Sequence, residues 1–298
     1  MIVPPYLMPG DKVALISPSR YMEMSTLPDF KKWVEDQGWE LIQSPNLGQK
    51  EGQLGGSDEQ RLSDIEWALL NPEIKAVFSA RGGYGLIRLW DKLKALPFKE
   101  NPKWWVGFSD FTVLHAVLEQ QGCCSIHGPM AMQLNTQEET LLNFSGLANC
   151  LRGAAGDFPL EWTTVDVEGN VKIWGGNLSM IYALLAAGYE PDIQGKILFI
   201  EELDEYLYHI DRMMSAMDAR GLFYKAEAVA VGSFIDMHDN AVPFGKNAKE
   251  IIEHFCRKHN KPLIWGLPIG HDSKNQAIKL GFGCTFGNSK LTQTGGDI

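Results

Sequence analysis

Ser109 occupies a turn position at which a serine side chain can act as a nucleophile. The apolar run 104–106 stops at residues 107–110 (GFSD), and apolar residues then recur with helical spacing from Phe111 onward. This pattern predicts a short buried strand, a tight turn and an amphipathic helix. A hydroxyl on that turn lies at the carboxyl edge of a sheet and near the positive end of a helix, where α/β enzymes place nucleophiles. The alternative is that Ser109 or Asp110 only caps the helix, which both residue types favour.

The glycine-rich stretch 81–85 (RGGYG) follows the preceding strand pattern at residues 74–79. In a parallel sheet the two strands end at the same edge, so we expect this stretch to lie beside Ser109. Glycines permit close backbone approach, and the N–H groups of Gly82 or Gly83, with that of Asp110, could stabilise an oxyanion. An ordinary strand-to-helix turn is the alternative. The spacing matches neither a P-loop nor the dinucleotide fingerprint.

An acid and a base that could serve such a nucleophile occur later in the chain. Glu201 and Glu202 follow the apolar run 198–200, and strand alternation sends them to opposite faces. One of them could therefore face a cleft while the other faces solvent. A solvated acidic strand end is the alternative, since acidic side chains are mostly exposed. His271 lies in a Gly/Pro-containing loop after the strand pattern 263–265, and loops held by a scaffold commonly carry functional groups.

The remaining histidines give no metal-binding pattern. His127 precedes a Gly-Pro pair and could line the same sheet edge as Ser109. His254 and His259 are five residues apart in a helical pattern, which is the wrong spacing for a shared metal on one face. Because no cluster has zinc-like spacing, we predict no metal site.

Strand and helix patterns alternate through the first half of the chain. Strand patterns occur at residues 12–17, 40–42, 74–79 and 104–106, and helical patterns at 27–39, 57–69 and 86–96. This order predicts right-handed βαβ units, a parallel sheet and hence an α/β fold.

The second half of the chain has a different character. Beyond a small-residue loop at 153–156, strand patterns dominate, with one long helix expected at 207–220. We therefore predict an α/β domain over residues 1–152 that carries the nucleophile. A linker at 153–169 and a smaller, mostly-β domain over 170–298 are expected to follow.

Composition narrows the possible partners. The chain has 298 residues, 45% hydrophobic and 21% charged, with a net charge of −10. The acidic balance argues against nucleic acid or an anionic membrane as the main partner. No apolar run approaches the roughly 20 residues of a membrane span, and no secretory signal is visible at the start. Five unpatterned cysteines fit a reduced, cytoplasmic setting.

Five short motifs, taken together, resemble one family. They are residues 81–85 (RGGYG), 107–112 (GFSDFT), 174–178 (WGGNL), 200–202 (IEE) and 270–271 (GH). In this order they resemble the LD-carboxypeptidases, serine peptidases that include muramoyltetrapeptide carboxypeptidases and microcin C immunity peptidases. The resemblance covers nearly the whole chain. It implies a Rossmann-like α/β N-terminal domain, a mostly-β C-terminal domain, a homodimer, and no metal or organic cofactor.

The resemblance also implies roles for individual residues. It assigns the catalytic triad to Ser109, Glu201 and His271. It assigns the oxyanion donors to the backbone of Asp110 and of Gly82 or Gly83.

Four further residues are candidates for substrate binding. Arg81, at the head of the glycine-rich stretch, is a candidate for the substrate carboxylate. The alternative is that Arg81 pairs with an acidic neighbour and only fixes the loop. Tyr84 and Trp174 could offer an aromatic platform, although Trp174 is also plausible as a core residue. Asn177 lies in the same motif as Trp174. One departure from the family pattern is Lys279, where a proline is common, and it could alter the wall near the triad.

The activity implied by the resemblance is cleavage between the L-centre of a diamino acid and a terminal D-alanine in cytoplasmic cell-wall recycling. The substrate would be a small peptide or muropeptide. One alternative is a self-immunity peptidase that acts on peptidyl or aminoacyl nucleotides and would need an aromatic surface for adenine. The compact chain, without an obvious long insertion, favours the muropeptide. A non-catalytic α/β ligand-binding protein is a second alternative, which the presence of Glu201 and His271 disfavours.

Overall fold

The computed structural model describes residues 1–163, 170–287 and 289–294. In that part of the chain it contains fourteen strands and nine α-helices. The strands are β1 Lys12–Ile16, β2 Glu40–Gln43, β3 Ile74–Ser79, β4 Trp104–Gly107, β5 Ser125–His127, β6 Gly156–Pro159, β7 Trp162–Thr163, β8 Val171–Asn177, β9 Ile197–Leu203, β10 Ala228–Ile235, β11 Leu263–Trp265, β12 Ile278–Leu280, β13 Gly283–Gly287 and β14 Lys290–Gln293. The helices are α1 Leu27–Asp36, α2 Asp58–Leu70, α3 Trp90–Lys94, α4 Thr112–Gln120, α5 Glu138–Leu151, α6 Leu178–Ala186, α7 Leu207–Ala219, α8 Leu222–Lys225 and α9 Ala248–Lys258.

The chain forms two compact units. The first comprises Met1–Ala155 with Gln276–Gly281, and the second comprises Gly156–Asn275 with Phe282–Thr294. Within the predicted linker, residues 164–169 lie outside the described part, while β6 and β7 already belong to the second unit. Residues 276–281, assigned above to the C-terminal domain, lie instead with the first unit because β12 pairs with β5. Strand pairing between segments that are distant in the sequence therefore decides to which unit these residues belong.

The first unit contains a six-stranded sheet in the order β12-β5-β4-β3-β1-β2. All neighbouring strands are parallel except β12, which runs antiparallel to β5. The residues of β1 from Val13 onward and the whole of β4 are buried, as expected for parallel strands covered on both faces. The predicted parallel α/β sheet is therefore confirmed. Its carboxyl edge carries the loops that follow β1, β3 and β4.

The second unit contains an eight-stranded sheet in the order β6-β14-β13-β8-β9-β10-β11-β7. The central strands β8 to β11 are parallel, and the remaining pairs are antiparallel. Of the helices in this unit, α7 matches the long helix expected at 207–220. Helix α6 was not predicted, because its sequence (LSMIYALLA) is almost entirely apolar and lacks an amphipathic period.

The helices of the described residues are short. The longest of them, α5, has 14 residues, and none combines the length and apolar character that a membrane crossing requires.

Candidate active site

Ser109 has a backbone conformation that is rare for serine. Its φ is +63°, in the left-handed region that costs L-residues energy, and it begins a single 3-10 turn, Ser109–Phe111, between β4 and α4. Such strain is concentrated at functional sites, and a sharp strand-to-helix turn is how a nucleophile elbow presents its serine. The capping alternative fails, because the N-cap of α4 is Phe111 and has no side-chain cap hydrogen bond.

The glycine-rich loop passes directly beside this serine. A Cβ atom on Gly82 would lie 3.0 Å from Ser109 Cβ, 3.3 Å from its Oγ and 3.2 Å from Met130 Cε. The parallel register of β3 and β4, which pairs Phe78 with Val106, brings the two loops to one edge. Gly83 and Gly85 have φ values of +107° and +141°, which side chains rarely adopt. The predicted adjacency of the glycine-rich loop and Ser109 is therefore present in the structure.

The Asp110 side chain holds three loops of the first unit together. Its fully buried carboxylate accepts hydrogen bonds from Ser19 Oγ at 2.6 Å and from the Leu86 N–H at 2.9 Å. Burial raises the pKa of the Asp110 carboxyl, and the two hydrogen bonds oppose that rise. Ser19 lies after β1 and Leu86 after the glycine-rich loop, so the carboxylate fixes both loops against the turn of Ser109. Sequence reasoning missed this role, although Ser19 lies in a recognisable Ser-Pro-Ser turn.

Glu201 and His271 form a hydrogen-bonded pair in the second unit. His271 Nδ1 lies 2.6 Å from Oε2 of Glu201, whose side chain is fully buried at the end of β9. Since a carboxylate only accepts, Nδ1 carries the hydrogen and Nε2 is the ring nitrogen that can act as a base. Burial alone would lower the pKa of His271, but the hydrogen bond and charge of Glu201, with a contribution from Glu202, raise it above its usual value.

Two residues that sequence reasoning missed hold the His271 loop in place. The His271 N–H donates to Ser233 Oγ at 2.8 Å, and the Gly270 N–H donates to Asn275 Oδ1 at 3.2 Å. A Cβ on Gly270 would lie 2.3 Å from Ser233 Oγ and 3.1 Å from Glu201 Oε2. A glycine is therefore required before the histidine, and this Gly-His pair was the signal available in the sequence.

Glu202 does not face solvent, which corrects the expectation from strand alternation. It is 3% exposed and accepts hydrogen bonds from Asn177 Nδ2 at 2.9 Å, the Ser179 N–H at 2.7 Å and the Leu203 N–H at 2.9 Å. The face opposite Glu201 is covered by the start of α6, where a carboxylate is favoured by the helix dipole. Burial, reinforced by the charge of Glu201, raises the pKa of the Glu202 carboxyl.

The two substrate-binding candidates of the second unit serve its internal structure. Asn177 is the N-cap of α6: its Oδ1 accepts from the Met180 N–H, while its Nδ2 donates to Glu202. Trp174 is 1% exposed, and its ring centroid lies 5.7 Å from that of Tyr189. The core interpretation of Trp174 is therefore the one that fits the structure.

The candidates of the first unit are more accessible. Tyr84 is 39% exposed. Arg81 is half-buried, and within the described part of the first unit no carboxylate forms an ion pair with its guanidinium. The alternative in which Arg81 only pairs with an acidic neighbour therefore has no partner there.

Lys279 and His127 are buried inside the first unit. Lys279, in β12, pairs with Ile126, is 1% exposed and directs its Nζ to the Ala154 carbonyl at 3.5 Å. Its ammonium also lies 5.2 Å from the ring centroid of Tyr6. Ala154 and Tyr6 are thus among its contacts, and the expectation that Lys279 shapes a wall near the triad stays a prediction. His127 is fully buried, with its ring centroid 5.6 Å from that of Phe108.

The structure thus assembles two groups of predicted residues, one in each unit. Ser109, Asp110, Gly82 and Gly83 lie together in the first unit, and Glu201 and His271 in the second. Models of the N-terminal and C-terminal domains of LD-carboxypeptidases match residues 13–128 and 170–286, respectively. The chain belongs to the LD-carboxypeptidase family. Members of this family are serine peptidases, and this LD-carboxypeptidase carries the predicted two-domain architecture.

Relatives of this LD-carboxypeptidase extend over almost its full length. A Synechocystis sp. protein classed as a carboxypeptidase is 31% identical over 92% of this chain and 91% of its own. The murein tetrapeptide carboxypeptidase of Pseudomonas aeruginosa is 29% identical over 91% of each chain. The crystal structure of muramoyltetrapeptide carboxypeptidase from Oxalobacter formigenes is 26% identical, with a TM-score of 0.83 over 96% of this chain and 99% of its own.

The microcin C7 self-immunity protein MccF shares the same fold. Its complex with aspartyl sulfamoyl adenosine has a TM-score of 0.83 over 99% of each chain, at 20% identity. At this identity the likeness concerns the fold alone.

Proposed function

We propose that this LD-carboxypeptidase removes the terminal D-alanine from muropeptide tetrapeptides by means of Ser109, His271 and Glu201. The observation that carries the proposal is the left-handed backbone of Ser109 with Gly82 packed against its side chain. The names of the Pseudomonas and Oxalobacter relatives supply the substrate class. The proposal requires Ser109 and His271 to act on the same substrate, although they belong to different units.

In the proposed first step, Ser109 Oγ attacks the carbonyl carbon on the L-residue side of the scissile bond. Nε2 of His271 accepts the serine proton, and the negative charge that develops on the carbonyl oxygen is bound by the N–H of Asp110 and of Gly82 or Gly83. His271 then gives its proton to the amine of D-alanine, which leaves, and the peptide remains as an ester on Ser109. In the second step water, deprotonated by His271, hydrolyses this acyl-enzyme.

The pair formed by Glu201 and His271 suits this cycle. Glu201 fixes the ring orientation through Nδ1 and supplies a negative charge that stabilises the imidazolium formed in each step. Because Glu201 is fully buried, its charge is poorly screened by solvent and acts strongly on the ring.

The setting and assembly of the enzyme are also proposals. Five buried, free thiols suit a reducing compartment, which supports action on cytoplasmic recycling intermediates. The family resemblance supports a homodimer, which light scattering of the purified protein in solution would test. The proposed domains follow the two compact units, residues 1–155 with 276–281 and residues 156–275 with 282–294.

The decisive experiment is incubation of the purified protein with disaccharide-tetrapeptide, followed by mass spectrometry. We expect loss of one alanine from the tetrapeptide, no loss from the same peptide ending in L-alanine, and no reaction with Ser109→Ala. An intact tetrapeptide after prolonged incubation with folded wild-type protein would contradict the proposal.

The self-immunity alternative requires an aromatic surface for adenine. The burial of Trp174 in the core of the second unit leaves only Tyr84 among the two aromatic candidates exposed. The same assay with an aminoacyl sulfamoyl adenosine tests this alternative, and preferential cleavage of that compound would favour it.

A further inference from the structure

The arginines of the first unit fall into two groups. The residues Met1–Ala155 contain five: Arg20, Arg61, Arg81, Arg88 and Arg152. Three of them have side-chain partners, which are Asp58 for Arg61 and Arg88 and Gln37 for Arg152. Among the described residues no carboxylate forms an ion pair with either of the other two, Arg20 and Arg81. Arg81 is the first residue of the glycine-rich loop, and Arg20 packs against that loop.

Arg20 is held firmly against this loop. Its N–H donates to the Gly82 carbonyl at 3.3 Å, and its backbone forms an antiparallel bridge with Leu54 on the other side. Its side-chain stem covers Gly83 so closely that a Cβ there would lie 2.5 Å from Arg20 Cδ and 2.7 Å from its Nε. The stem therefore has little freedom, and the guanidinium is oriented before any ligand binds.

The position of Arg20 is unfavourable in the absence of a ligand. Its Nε is buried and has no hydrogen-bond partner within the described structure. A buried donor on a charged group that lacks an acceptor destabilises the fold, and such local violations are expected at functional sites. An anion bound to the terminal nitrogens of the Arg20 guanidinium would neutralise the positive charge that the fold holds beside the glycine-rich loop.

We propose that the Arg20 guanidinium binds the C-terminal carboxylate of the substrate, an inference that rests on the proposed carboxypeptidase function. In a substrate that loses one terminal residue, the scissile carbonyl carbon and the carboxylate carbon are three bonds apart, within about 4 Å. The carboxylate site must therefore adjoin the nucleophile. Gly82 packs against Ser109 and the next residue, Gly83, packs against Arg20, so the loop places the cation at that side of the serine.

Side-chain entropy favours Arg20 over Arg81, and electrostatics favours an arginine over a lysine. The stem of Arg20 is fixed by Gly83, so binding loses less side-chain entropy than it would with a freely rotating arginine. The protein also carries a net charge of −10, and charges more than about 8–10 Å away are screened at physiological salt. A carboxylate therefore needs a local cation with planar, bidentate geometry, which lysine does not provide.

The test compares kcat/KM for two substrates, the tetrapeptide with a free terminal carboxylate and the same peptide with a terminal amide. The preference for the free acid is measured in wild type and in Arg20→Gln, Arg20→Lys and Arg81→Gln. The matched control is Arg88→Gln, which removes the same positive charge from a nearby arginine. Arg88 lies four residues after Tyr84 and already forms an ion pair with Asp58. Labelling of Ser109 by a fluorophosphonate, which carries no carboxylate, reports in each variant whether the nucleophile and fold are intact.

We expect Arg20→Gln to reduce the preference for the free acid about 10- to 100-fold, because a hydrogen-bonded charge pair is lost. Arg20→Lys should recover only part of it, and Arg88→Gln should retain all of it. An unchanged preference in a labelled Arg20→Gln protein, or an equal loss on both substrates, overturns the inference. A larger loss of preference in Arg81→Gln transfers the role to Arg81. Failure of the proposed function is distinct from these results, because wild type would then cleave neither peptide.

Discussion

Nδ1 of His271 lies 2.6 Å from Oε2 of Glu201, and this carboxylate is completely buried at the end of a parallel strand. The pair joins residues that are 70 positions apart in the chain. A second carboxylate, Glu202, follows directly on the same strand and is bonded to the N-terminus of α6. The two neighbouring glutamates therefore have different partners, and their substitutions should have different consequences.

Substitution of Glu201 should change both the rate and its pH dependence. The pKa of His271 is raised above its usual value, chiefly by Glu201 acting against burial, and the base must be neutral to accept a proton. In Glu201→Gln we expect kcat to fall by roughly 10³- to 10⁴-fold and the acidic limb of kcat/KM to move to lower pH. Measuring kcat/KM across the pH range checks this, and an unmoved limb would exclude Glu201 as the partner that sets the His271 pKa.

The same pair contributes to stability with a defined sign. Because the folded-state pKa of His271 is raised, the pair adds stability that is fully present below the unfolded pKa, near 6.5. That contribution is lost as the pH rises through the folded pKa. Urea unfolding of wild type and Glu201→Gln on both sides of this window should show a smaller difference at high pH.

Substitution of Glu202 should mainly lower stability. In Glu202→Gln an amide N–H group would face a backbone or side-chain donor of α6, leaving a buried group unsatisfied at a cost of about 1–3 kcal/mol. We expect a lower urea midpoint, a rate within about tenfold of wild type, and a smaller shift of the acidic limb than in Glu201→Gln. A greater loss of kcat in Glu202→Gln than in Glu201→Gln would mean that the roles of the two glutamates are reversed.

The left-handed backbone of Ser109 predicts a difference between two inactive variants. Ser109→Ala and Ser109→Gly both remove the nucleophile, so each should lose several orders of magnitude in turnover. Only glycine adopts a φ of +63° without steric cost, and Ser109→Gly should therefore be more stable than Ser109→Ala by about 1 kcal/mol. The free energies of unfolding of the two variants provide the measurement. A less stable glycine variant would argue against this backbone conformation.

Gly82→Ala tests the contact between the glycine-rich loop and the nucleophile. The backbone of Gly82 is not left-handed, so alanine can be accommodated if Ser109 and Met130, whose nearest atoms lie 3.0 Å and 3.2 Å from the added Cβ, move slightly. Displacement of the serine or of the oxyanion donors by a fraction of an ångström to 1 Å should lower kcat about 10²-fold.

The matched control for Gly82→Ala is Gly146→Ala, in the middle of α5. A Cβ at Gly146 meets no atom within 4 Å, so alanine should stabilise the helix by about 0.5–1 kcal/mol and leave the rate unchanged. Equal kinetics for wild type and Gly82→Ala would show that the loop can yield without moving the serine.

Local patterns in the sequence determined the position of Ser109 on a turn, the parallel sheet of the first unit and the placement of Glu201 at a strand end. Each of these follows from the types of adjacent residues: an apolar run, a Gly-Phe-Ser-Asp turn and the onset of helical spacing. Each of these signals lies within about 15 consecutive residues, so it can be recognised without knowledge of the rest of the chain.

The tertiary structure alone decided which side chains surround these positions. Alternation correctly separated Glu201 from Glu202, but only the packing of α6 shows that the second face is buried. The pairing of Lys279 with Ile126 and the packing of Arg20 on Gly83 likewise join segments more than 60 residues apart. Contacts of this kind depend on sheet order and loop packing, and local propensity carries no information about them.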